Sequence, residues 1–438
     1  MKRLLEWPPR LVVAVLLLVP AVAHPSIVRV DWSGGGDFLT IQEALSAAAF
    51  GDTVLVAPGT YTGPANRDLE FEGKRLVVKS EQGPASTIID CSRYGRAFYF
   101  HAGEDYLTTV SGFTITRGWK DEGGAILTQS SGPTIENCVF ADNLSGYGGA
   151  IHAAQGAAPQ IVDCTFAGNR AEYYGGAIYS HSSSPYVADC EFTGNEATIS
   201  GGGISLKTGT VARIYGCTFT GNEAADGGGV YVGVFESQQP ERDIPDATIL
   251  NNCRFFDNTA TRGAGLFVNS FSWTLCAYSV FAGNSSTQGG GMFVFTENGP
   301  TLSVQNCTIA LNEAYHGGGI FITGFGDEYQ PSVTTSIIAF NTEGEALFRE
   351  WGAPASVNLT CAYGNAGGDE IIGTNILYED PLFCNMYADD FRLCSNSVCR
   401  AANNEWHFLF GATSFYCGTC EAGVEETSWG SIKAMFRP

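Results

Sequence analysis

Two short motifs alternate along most of this chain with a period of about 26 residues, and this period constrains the fold more than any other feature. The first motif is glycine-rich, typified by Gly-Gly-Ala-Ile, and it stands at 123–126, 148–151, 175–178, 201–204, 227–230, 263–266, 289–292, 317–320 and, in decayed form, 344–347. The second motif is an apolar residue, two variable residues and an asparagine, and its asparagines are Asn143, Asn169, Asn195, Asn222, Asn258, Asn284, Asn312 and Asn341. A fixed period of this size predicts a solenoid built from stacked repeats.

The kind of solenoid follows from the residues between the turns. These segments are short and rich in Val, Ile, Thr, Phe and Tyr, and glycine and asparagine separate them, which are strand and turn signals. Helical repeats are longer, and paired glycines would break their helices. We therefore expect an all-β, single-stranded right-handed parallel β-helix (solenoid) with one coil per period, because parallel crossovers are right-handed. Within a coil, alternation predicts that Ile178 points inward and Tyr179 outward.

Residues that recur once per coil should form columns along the solenoid. The eight motif asparagines are predicted to form a structural hydrogen-bonded ladder at one corner. Six cysteines also share one position, two residues before the motif's apolar residue: Cys138, Cys164, Cys190, Cys217, Cys253 and Cys307. We expect them to be buried free thiols, and disulfides between neighbouring coils are the alternative.

The start of the chain predicts export. Lys2, Arg3 and Arg10 precede a short apolar run, Leu11–Val19, and Ala-Val-Ala ends at Ala23, which together indicate a signal peptide at 1–23. No later run reaches the length of a membrane-spanning helix, so we expect no transmembrane segment in the mature chain. The predicted location is secreted, or the exterior of a bacterial cell surface or outer membrane, where disulfides persist.

Both ends of a solenoid need covers, because open strand edges are sites of aggregation. The expected organisation is a β-helix with an N-terminal cap at 24–380, a Cys-rich C-terminal cap at 381–420 and a tail at 421–438. Thr40 and Glu43 fit a capping box before a short N-terminal helix. The disulfide candidates of the C-terminal cap are Cys384, Cys394, Cys399, Cys417 and Cys420. Their pairing stays open, and no metal site is expected, since the Cys417–Cys420 pair has no second CxxC or paired histidines.

Two family resemblances rest on these motifs. The alternating GGA[ILV] and FxxN motifs over roughly 113–347 resemble those of chlamydial polymorphic outer membrane proteins, whose surface passengers include adhesins. The segment 37–45 together with 52–61 (DTVLVAPGTY) is similar to the start of pectin-lyase-like β-helix proteins, which include pectin methylesterases. The resemblance implies a β-helix at a cell surface. Only 18 residues follow Cys420, so the many-stranded translocating barrel of those membrane proteins is not expected here.

Charge and motif content exclude several functions. The net charge of -22 argues against nucleic acid and anionic membranes as partners. The catalytic patterns of pectin methylesterases, polygalacturonases and pectate lyases are missing, and no histidines pair at metal-ligand spacing. No catalytic residue and no cofactor are therefore predicted. Asp163 and Asp189 on adjacent coils are the one candidate pair for Ca²⁺, and turn-forming side chains bonded to their own backbone are the competing interpretation.

The outward position after each branched residue suggests a binding surface. An exposed aromatic row is predicted there, and its candidate ligand-binding residues are Tyr179, Tyr231, Phe267, Phe293 and Phe321. Long loops at 233–246 and 324–331 lie just beyond, and the alternative is that these loops fold back and bury the rings. We predict a binding, adhesin-like or structural protein without catalysis, with an extracellular glycan or cell-surface protein as partner. The alternative is a carbohydrate-active lyase, esterase or hydrolase.

Overall fold

The computed structural model describes residues 25–233, 247–269, 273–296, 302–325, 330–413 and 416–420. The predicted signal peptide at 1–23, the tail at 421–438 and most of the two long loops lie outside these ranges. Each regular coil contains four short strands, and equivalent strands of successive coils pair in parallel to form four faces. The predicted fold class, a right-handed parallel β-helix with a Cys-rich C-terminal region, is confirmed.

Faces 1 and 2 form one 25-stranded sheet within the described residues. Face 1 consists of Ile27–Val30, Thr53–Val56, Val77–Ser80, Thr109–Ser111, Thr134–Glu136, Gln160–Val162, Tyr186–Ala188, Arg213–Tyr215, Thr248–Asn251, Thr274–Ala277, Leu302–Gln305, Ser332–Thr334, Ser356–Tyr363 and Thr374–Leu377. Face 2 consists of Gly59–Tyr61, Thr87–Asp90, Thr114–Thr116, Val139–Ala141, Thr165–Ala167, Glu191–Thr193, Thr218–Thr220, Arg254–Phe256, Val280–Ala282, Thr308–Ala310 and Ile337–Ala339.

The other two faces are separate sheets of eight and eleven strands in the described part of the chain. Face 3 consists of Trp119–Glu122, Leu144–Tyr147, Arg170–Tyr174, Glu196–Ala197, Glu223–Asp226, Thr259–Arg262, Ser285–Gln288 and Glu313–His316. Face 4 consists of Leu69–Glu70, Phe98–Phe100, Ile126–Gln129, Ile151–Ala154, Ile178–His181, Ile204–Lys207, Val230–Gly233, Leu266–Val268, Met292–Phe295, Ile320–Thr323 and Leu347–Arg349.

Stacked apolar columns fill the interior. The phenylalanines of the second motif are buried and stack coil upon coil, with ring centroids 4.3 to 4.8 Å apart; they are Phe140, Phe166, Phe192, Phe219, Phe255 and Phe281. This distance matches the spacing between paired strands, so each ring lies over its neighbour without a gap. Burial of these columns is the main favourable contribution to folding.

The corner between faces 1 and 2 depends on residues that accept a left-handed backbone. Asn137, Asp163, Asp189, Asn252 and Asn306 have φ between 49° and 54° there, a region that asparagine and aspartate tolerate. Asp163 and Asp189 therefore have a conformational role in the turn, and calcium binding by this pair stays a prediction.

The glycine motif forms the corner between faces 3 and 4. Gly201 has φ of 68°, where glycine carries no steric penalty. A Cβ atom on Gly202 would lie 2.5 Å from the carbonyl oxygen of Gly228 on the next coil. The paired glycines are thus required both by the turn and by the close approach of neighbouring backbones.

The motif asparagines form a continuous hydrogen-bonded column after face 2. Asn195 is representative: its Nδ2 donates to Phe166 O at 3.0 Å and to Asn222 Oδ1 at 2.9 Å. Its Oδ1 accepts from the backbone and side-chain nitrogens of Asn169. The column runs from Asn143 to Asn341 and ends on Asn365, and its amides are buried, so each one satisfies polar groups that water does not reach.

The cysteine column is buried and unbridged. Cys138, Cys164, Cys190, Cys217, Cys253 and Cys307 are free thiols, and the backbone N–H of Cys164 donates to the sulfur of Cys190 on the next coil. The expected free thiols and their stacking in one column are observed.

A short helix, Ile41–Ala47, covers the N-terminal coil with Ile41, Ala44 and Leu45 facing the core. The predicted capping box is wrong. Thr40 lies at the N-cap position but makes no side-chain cap bond, and its hydroxyl instead donates to Glu43 Oε2 at 2.7 Å. Asn66, in a short 3₁₀ turn (Pro64–Asn66), caps the helix through its Oδ1, which accepts from Ile41 N at 2.9 Å.

The C-terminal cap is a hairpin, Phe383–Asn385 with Asp390–Leu393, tied to the residues around 417–420. Its disulfides are Cys384–Cys417 and Cys394–Cys420, whereas Cys399 is buried and free. Both bridges close the cap on itself and do not fasten it to a coil. Two further 3₁₀ turns, Glu350–Gly352 and Met386–Ala388, complete the described elements.

Candidate functional site

Faces 3 and 4 meet at a concave line on the outside of the solenoid, here called the outer corner. Side chains at the end of face-3 strands lie against outward side chains of face 4: the ring centroids of Tyr147 and Tyr179 are 5.6 Å apart, and those of His316 and Phe348 are 4.5 Å apart. The outer corner therefore brings two side-chain rows into contact, and its contents change along the solenoid axis.

In the C-terminal half, the outer corner contains an aromatic stack of Tyr231, Phe267, Phe293 and Phe321. Consecutive ring centroids are 5.1, 4.8 and 5.1 Å apart. The prediction that this aromatic row is exposed is wrong, because these four rings and Tyr179 are all between 1% and 6% exposed. Alternation did direct them outward, but the concave corner buries them. Ligand binding by these five residues stays untested, and their burial leaves no open ring face.

Cationic side chains cover part of this aromatic stack. The guanidinium carbon of Arg262 lies 5.2 Å from the Phe267 ring centroid, and Asp226 holds the guanidinium through two hydrogen bonds of 2.8 and 2.7 Å. The ammonium of Lys207 lies 4.1 Å from the ring of Tyr174 and 4.2 Å from that of Tyr231. Burial lowers the pKa of Lys207 to about 8. These cation–π contacts stabilise a satellite cluster.

The N-terminal half contains a tyrosine cluster of Tyr147, Tyr173, Tyr174 and Tyr179. Tyr173 lies 5.2 Å from Tyr147, and Tyr147 and Tyr174 are each 5.6 Å from Tyr179. Tyr179 is buried against Tyr147 and Tyr174, which are half-buried, and Tyr173 is 37% exposed. The cluster thus presents ring surface to solvent on a rigid, buried base.

A β-bulge creates this cluster. The register between Leu144–Tyr147 and Arg170–Tyr174 shifts after Ser145, so that the longer strand contains one extra residue. The bulge directs two consecutive tyrosines, Tyr173 and Tyr174, to the same side. The Tyr173 ring packs beside Gly146, whose backbone approaches the neighbouring coil closely, since a Cβ there would lie 2.9 Å from the carbonyl oxygen of Asp121.

Next to the tyrosine cluster, His152 and Glu122 form the polar end of the outer corner together with Arg96, whose charge acts on both and whose guanidinium carbon lies 5.2 Å from the ring centroid of Tyr99. His152 Nδ1 is 4.0 Å from Glu122 Oε2, and its ring centroid is 4.8 Å from that of Tyr179. Arg96 Nη1 and both ring nitrogens of His152 are buried and have no hydrogen-bond partner. Each such atom costs roughly 1–3 kcal/mol, so these three atoms call for a physical explanation.

The environment sets the charge states at the polar end. Burial, followed by the charges of His181 and Arg96, lowers the pKa of His152 to about 3, so the imidazole is neutral at neutral pH. Burial also lowers the pKa of Arg96, and the nearby carboxylates of Asp68 and Glu122 oppose that shift. A neutral imidazole provides one N–H donor and one acceptor.

Sequence reasoning did not select these residues, although a signal was present. Gly95-Arg96-Ala97-Phe98 is an earlier copy of the glycine motif, with Arg96 in the place of the second glycine. His152 occupies the outward column as the only histidine there. The extra residue between Ile151 and Ile178 was visible as an interval of 27, but nothing in it indicated a bulge.

Among the described residues, one group of side chains has the geometry to hold a metal ion: the sulfurs of Cys384, Cys394 and Cys417, which lie within 4.8 Å of one another. These sulfurs are engaged in the two cap disulfides. Within the same residues, no helix has the length and hydrophobicity needed to span a bilayer.

Comparison with known proteins shows a similarity in fold. A family model described as "Right handed beta helix region" matches residues 96–240. A search of curated proteins found no match.

Several solved structures are similar at low identity. A XylC structure in complex with xylose is 11% identical over 82% of this chain and 87% of its own, with a TM-score of 0.49. The pectate lyase Pel9A is 14% identical over 87% of this chain and 92% of its own, with a TM-score of 0.45. The PL6 family alginate lyase AlyGC is 14% identical over 81% of this chain and 49% of its own, with a TM-score of 0.46. Similarity at this level does not transfer an activity.

Proposed function

We propose that this protein is an extracellular or surface-displayed binding protein without catalysis of its own, and that it holds a glycan against the tyrosine cluster. The observation that carries the proposal is the set of partly exposed rings of Tyr147, Tyr173 and Tyr174 on a buried base. Tyrosine offers a large apolar ring together with a polar hydroxyl. A sugar ring has the complementary surface, since it presents C–H groups on its faces and hydroxyls around its edge.

The geometry along the solenoid favours a chain ligand over a small molecule. Tyr147 and Tyr174 belong to adjacent coils, whose spacing of about 4.8 Å is similar to the length of one pyranose unit in a polysaccharide. The rings are set on paired strands, so little conformational entropy remains to be lost on binding. This argument supports a polysaccharide lying parallel to the solenoid axis.

The experiment is affinity electrophoresis of the mature protein in gels that contain single soluble polysaccharides, followed by calorimetry with the best ligand. Tyr173→Ala should weaken binding by about tenfold or more, because it removes one exposed ring. Tyr315→Ala is the matched control: Tyr315 is 68% exposed on the same face, five coils farther along, and its loss should change affinity less than twofold. Equal effects of the two substitutions, or no retardation by any polysaccharide, would contradict the proposal.

A second candidate function is a carbohydrate-active enzyme. The observation in its favour is the carboxylate of Glu122, 4.0 Å from the imidazole of His152, since a carboxylate beside an imidazole is a common acid–base arrangement. Product analysis on the same polysaccharides decides this candidate. Turnover that disappears in Glu122→Gln would favour the enzyme, and unchanged polysaccharides would favour the binding protein.

A further inference from the structure

The polar end has unused hydrogen-bonding capacity beside the ring surface. His152 is 5% exposed, and both of its nitrogens lack a partner, as does Arg96 Nη1. Arg96 lies in the turn before a face-4 strand, two coils before His152, and its guanidinium carbon is 5.2 Å from the ring centroid of Tyr99. Its charge nevertheless acts on His152. Glu122, whose side chain is 46% exposed, lies over His152 from face 3. A ligand group that entered beside Glu122 would therefore meet hydrogen-bond donors and acceptors that have no partner among the described residues.

These three side chains supply a mixed set of hydrogen-bonding groups. Arg96 offers N–H donors only, the Glu122 carboxylate accepts only, and a neutral imidazole does both. A sugar hydroxyl is also both a donor and an acceptor, and neighbouring hydroxyls on one ring need such a mixture. A carboxylate ligand would use only the donors and would leave the Glu122 oxygens facing a like charge.

The surrounding charges disfavour an acidic sugar. The carboxylates of Asp68, Asp121 and Glu122 act on Arg96. The positive charges that oppose these carboxylates are those of Arg96 and Lys120. The Lys120 ammonium already lies 3.6 Å from Asp68. The local balance is therefore negative, like that of the whole chain at -22, and it repels a uronate.

We propose that Arg96, Glu122 and His152 form a subsite that binds the hydroxyl groups of a neutral sugar unit, at the end of a glycan whose next unit lies on the tyrosine cluster. The inference rests on the proposed function and adds a substrate class to it. Binding requires a rotation of the Glu122 side chain, which is exposed enough to move without a change in the backbone.

The test compares neutral polysaccharides (β-glucan, galactomannan and xylan) with the uronans polygalacturonate and alginate by affinity electrophoresis and calorimetry. The mature protein should bind at least one neutral polymer and bind both uronans at least tenfold more weakly. Arg96→Gln and Glu122→Gln should each weaken neutral binding by about fivefold or more. The control Arg170→Gln removes an exposed arginine that pairs with Glu196 on the same face, and it should bind like the parent.

Glu122→Gln separates loss of binding from loss of folding, because glutamine has the same shape as the half-exposed glutamate that it replaces. The circular dichroism spectrum of this variant should match that of the parent. Tighter binding of uronans than of neutral polymers would overturn the subsite. Unchanged affinity in Arg96→Gln and Glu122→Gln, with a loss in Tyr173→Ala, would overturn the subsite and leave the proposed function intact. Absence of binding to every polymer would overturn both. A ligand-bound crystal structure with ordered water alone on His152 would also contradict the inference.

Discussion

At the residue scale, one column position gives different chemistry in different coils. The outward residue after the branched position is a packed phenylalanine at Phe267 and Phe293 but an imidazole at His152. An aromatic ring of similar size fits the outer corner in each case. The histidine therefore retains the packing of the column and adds two polar atoms that the fold leaves unsatisfied.

The depressed pKa of His152 predicts a pH-dependent stability. The unfolded chain takes up a proton on this residue near pH 6.5, whereas the folded chain does so only near pH 3. Between these values the unfolded state binds more protons, so stability is full above pH 6.5 and falls as the pH decreases. His152→Phe should remove this loss. We expect the variant to gain about 3 kcal/mol on the parent between pH 7 and pH 4, measured by urea unfolding.

The matched control for this pH dependence is Tyr179→Phe, which keeps a buried ring in the same column, 4.8 Å from that of His152, and removes no group that takes up a proton in acid. Its stability should follow the parent at both pH values. If His152→Phe lost stability in acid as steeply as the parent does, the imidazole would not be buried in its neutral form.

At the element scale, the asparagine column joins each coil to the next through side chains as well as through strands. One amide in this column serves several backbone and side-chain groups at once. The bulged strand Arg170–Tyr174 departs from the repeat, and this local irregularity creates the exposed tyrosine rings. Regular positions thus maintain the stack, and the irregular strand carries the candidate site.

Asn195→Ala is predicted to destabilise the solenoid by about 3 kcal/mol, because it leaves buried groups of Phe166 and Asn169 without partners. The urea midpoint should decrease accordingly. Thr193→Ala, at an exposed position of the adjoining strand Glu191–Thr193, is the control and should change stability by less than about 0.5 kcal/mol. Similar shifts for both variants would argue that the column contributes nothing beyond strand pairing.

At the scale of the whole molecule, the C-terminal cap packs against the side of the solenoid as well as near its end. Phe391 is 4% exposed in a cluster with Phe256, Ala282 and Ala310 from three successive face-2 strands. Asn306 Nδ2 also donates to Leu409 O at 2.9 Å. A solenoid coil normally contacts only its neighbours, so the cap adds contacts that span three coils at once.

Phe391→Ala is predicted to release the cap from face 2, since truncation of a buried phenylalanine costs about 3–5 kcal/mol. Limited proteolysis should cleave the region 381–413 faster while the coils stay resistant. The two disulfides hold the cap together, so it should detach as one unit. Phe408→Ala removes a ring that is 49% exposed and should leave the cleavage pattern unchanged. Faster cleavage throughout the coils would show that the cap does not unfold separately.

Periodicity was sufficient to predict the stack, the asparagine and cysteine columns and which side of each strand faces the core. The reason is local: each residue's inward or outward direction follows from two-residue alternation, and repetition brings equivalent residues into register. The N-terminal helix was predicted from a capping box at Thr40 and Glu43, whereas its cap comes from Asn66, which is distant in sequence.

The amino-acid sequence by itself determined the coil and its columns, because those depend on contacts that repeat every 26 residues or so. The tertiary structure alone decided that faces 3 and 4 meet in a concave corner, that Tyr231 and Phe267 are buried there, and that His152 meets both Tyr179 and Glu122. The angle between two faces depends on the packing of whole coils, and no alternation pattern within a strand encodes it.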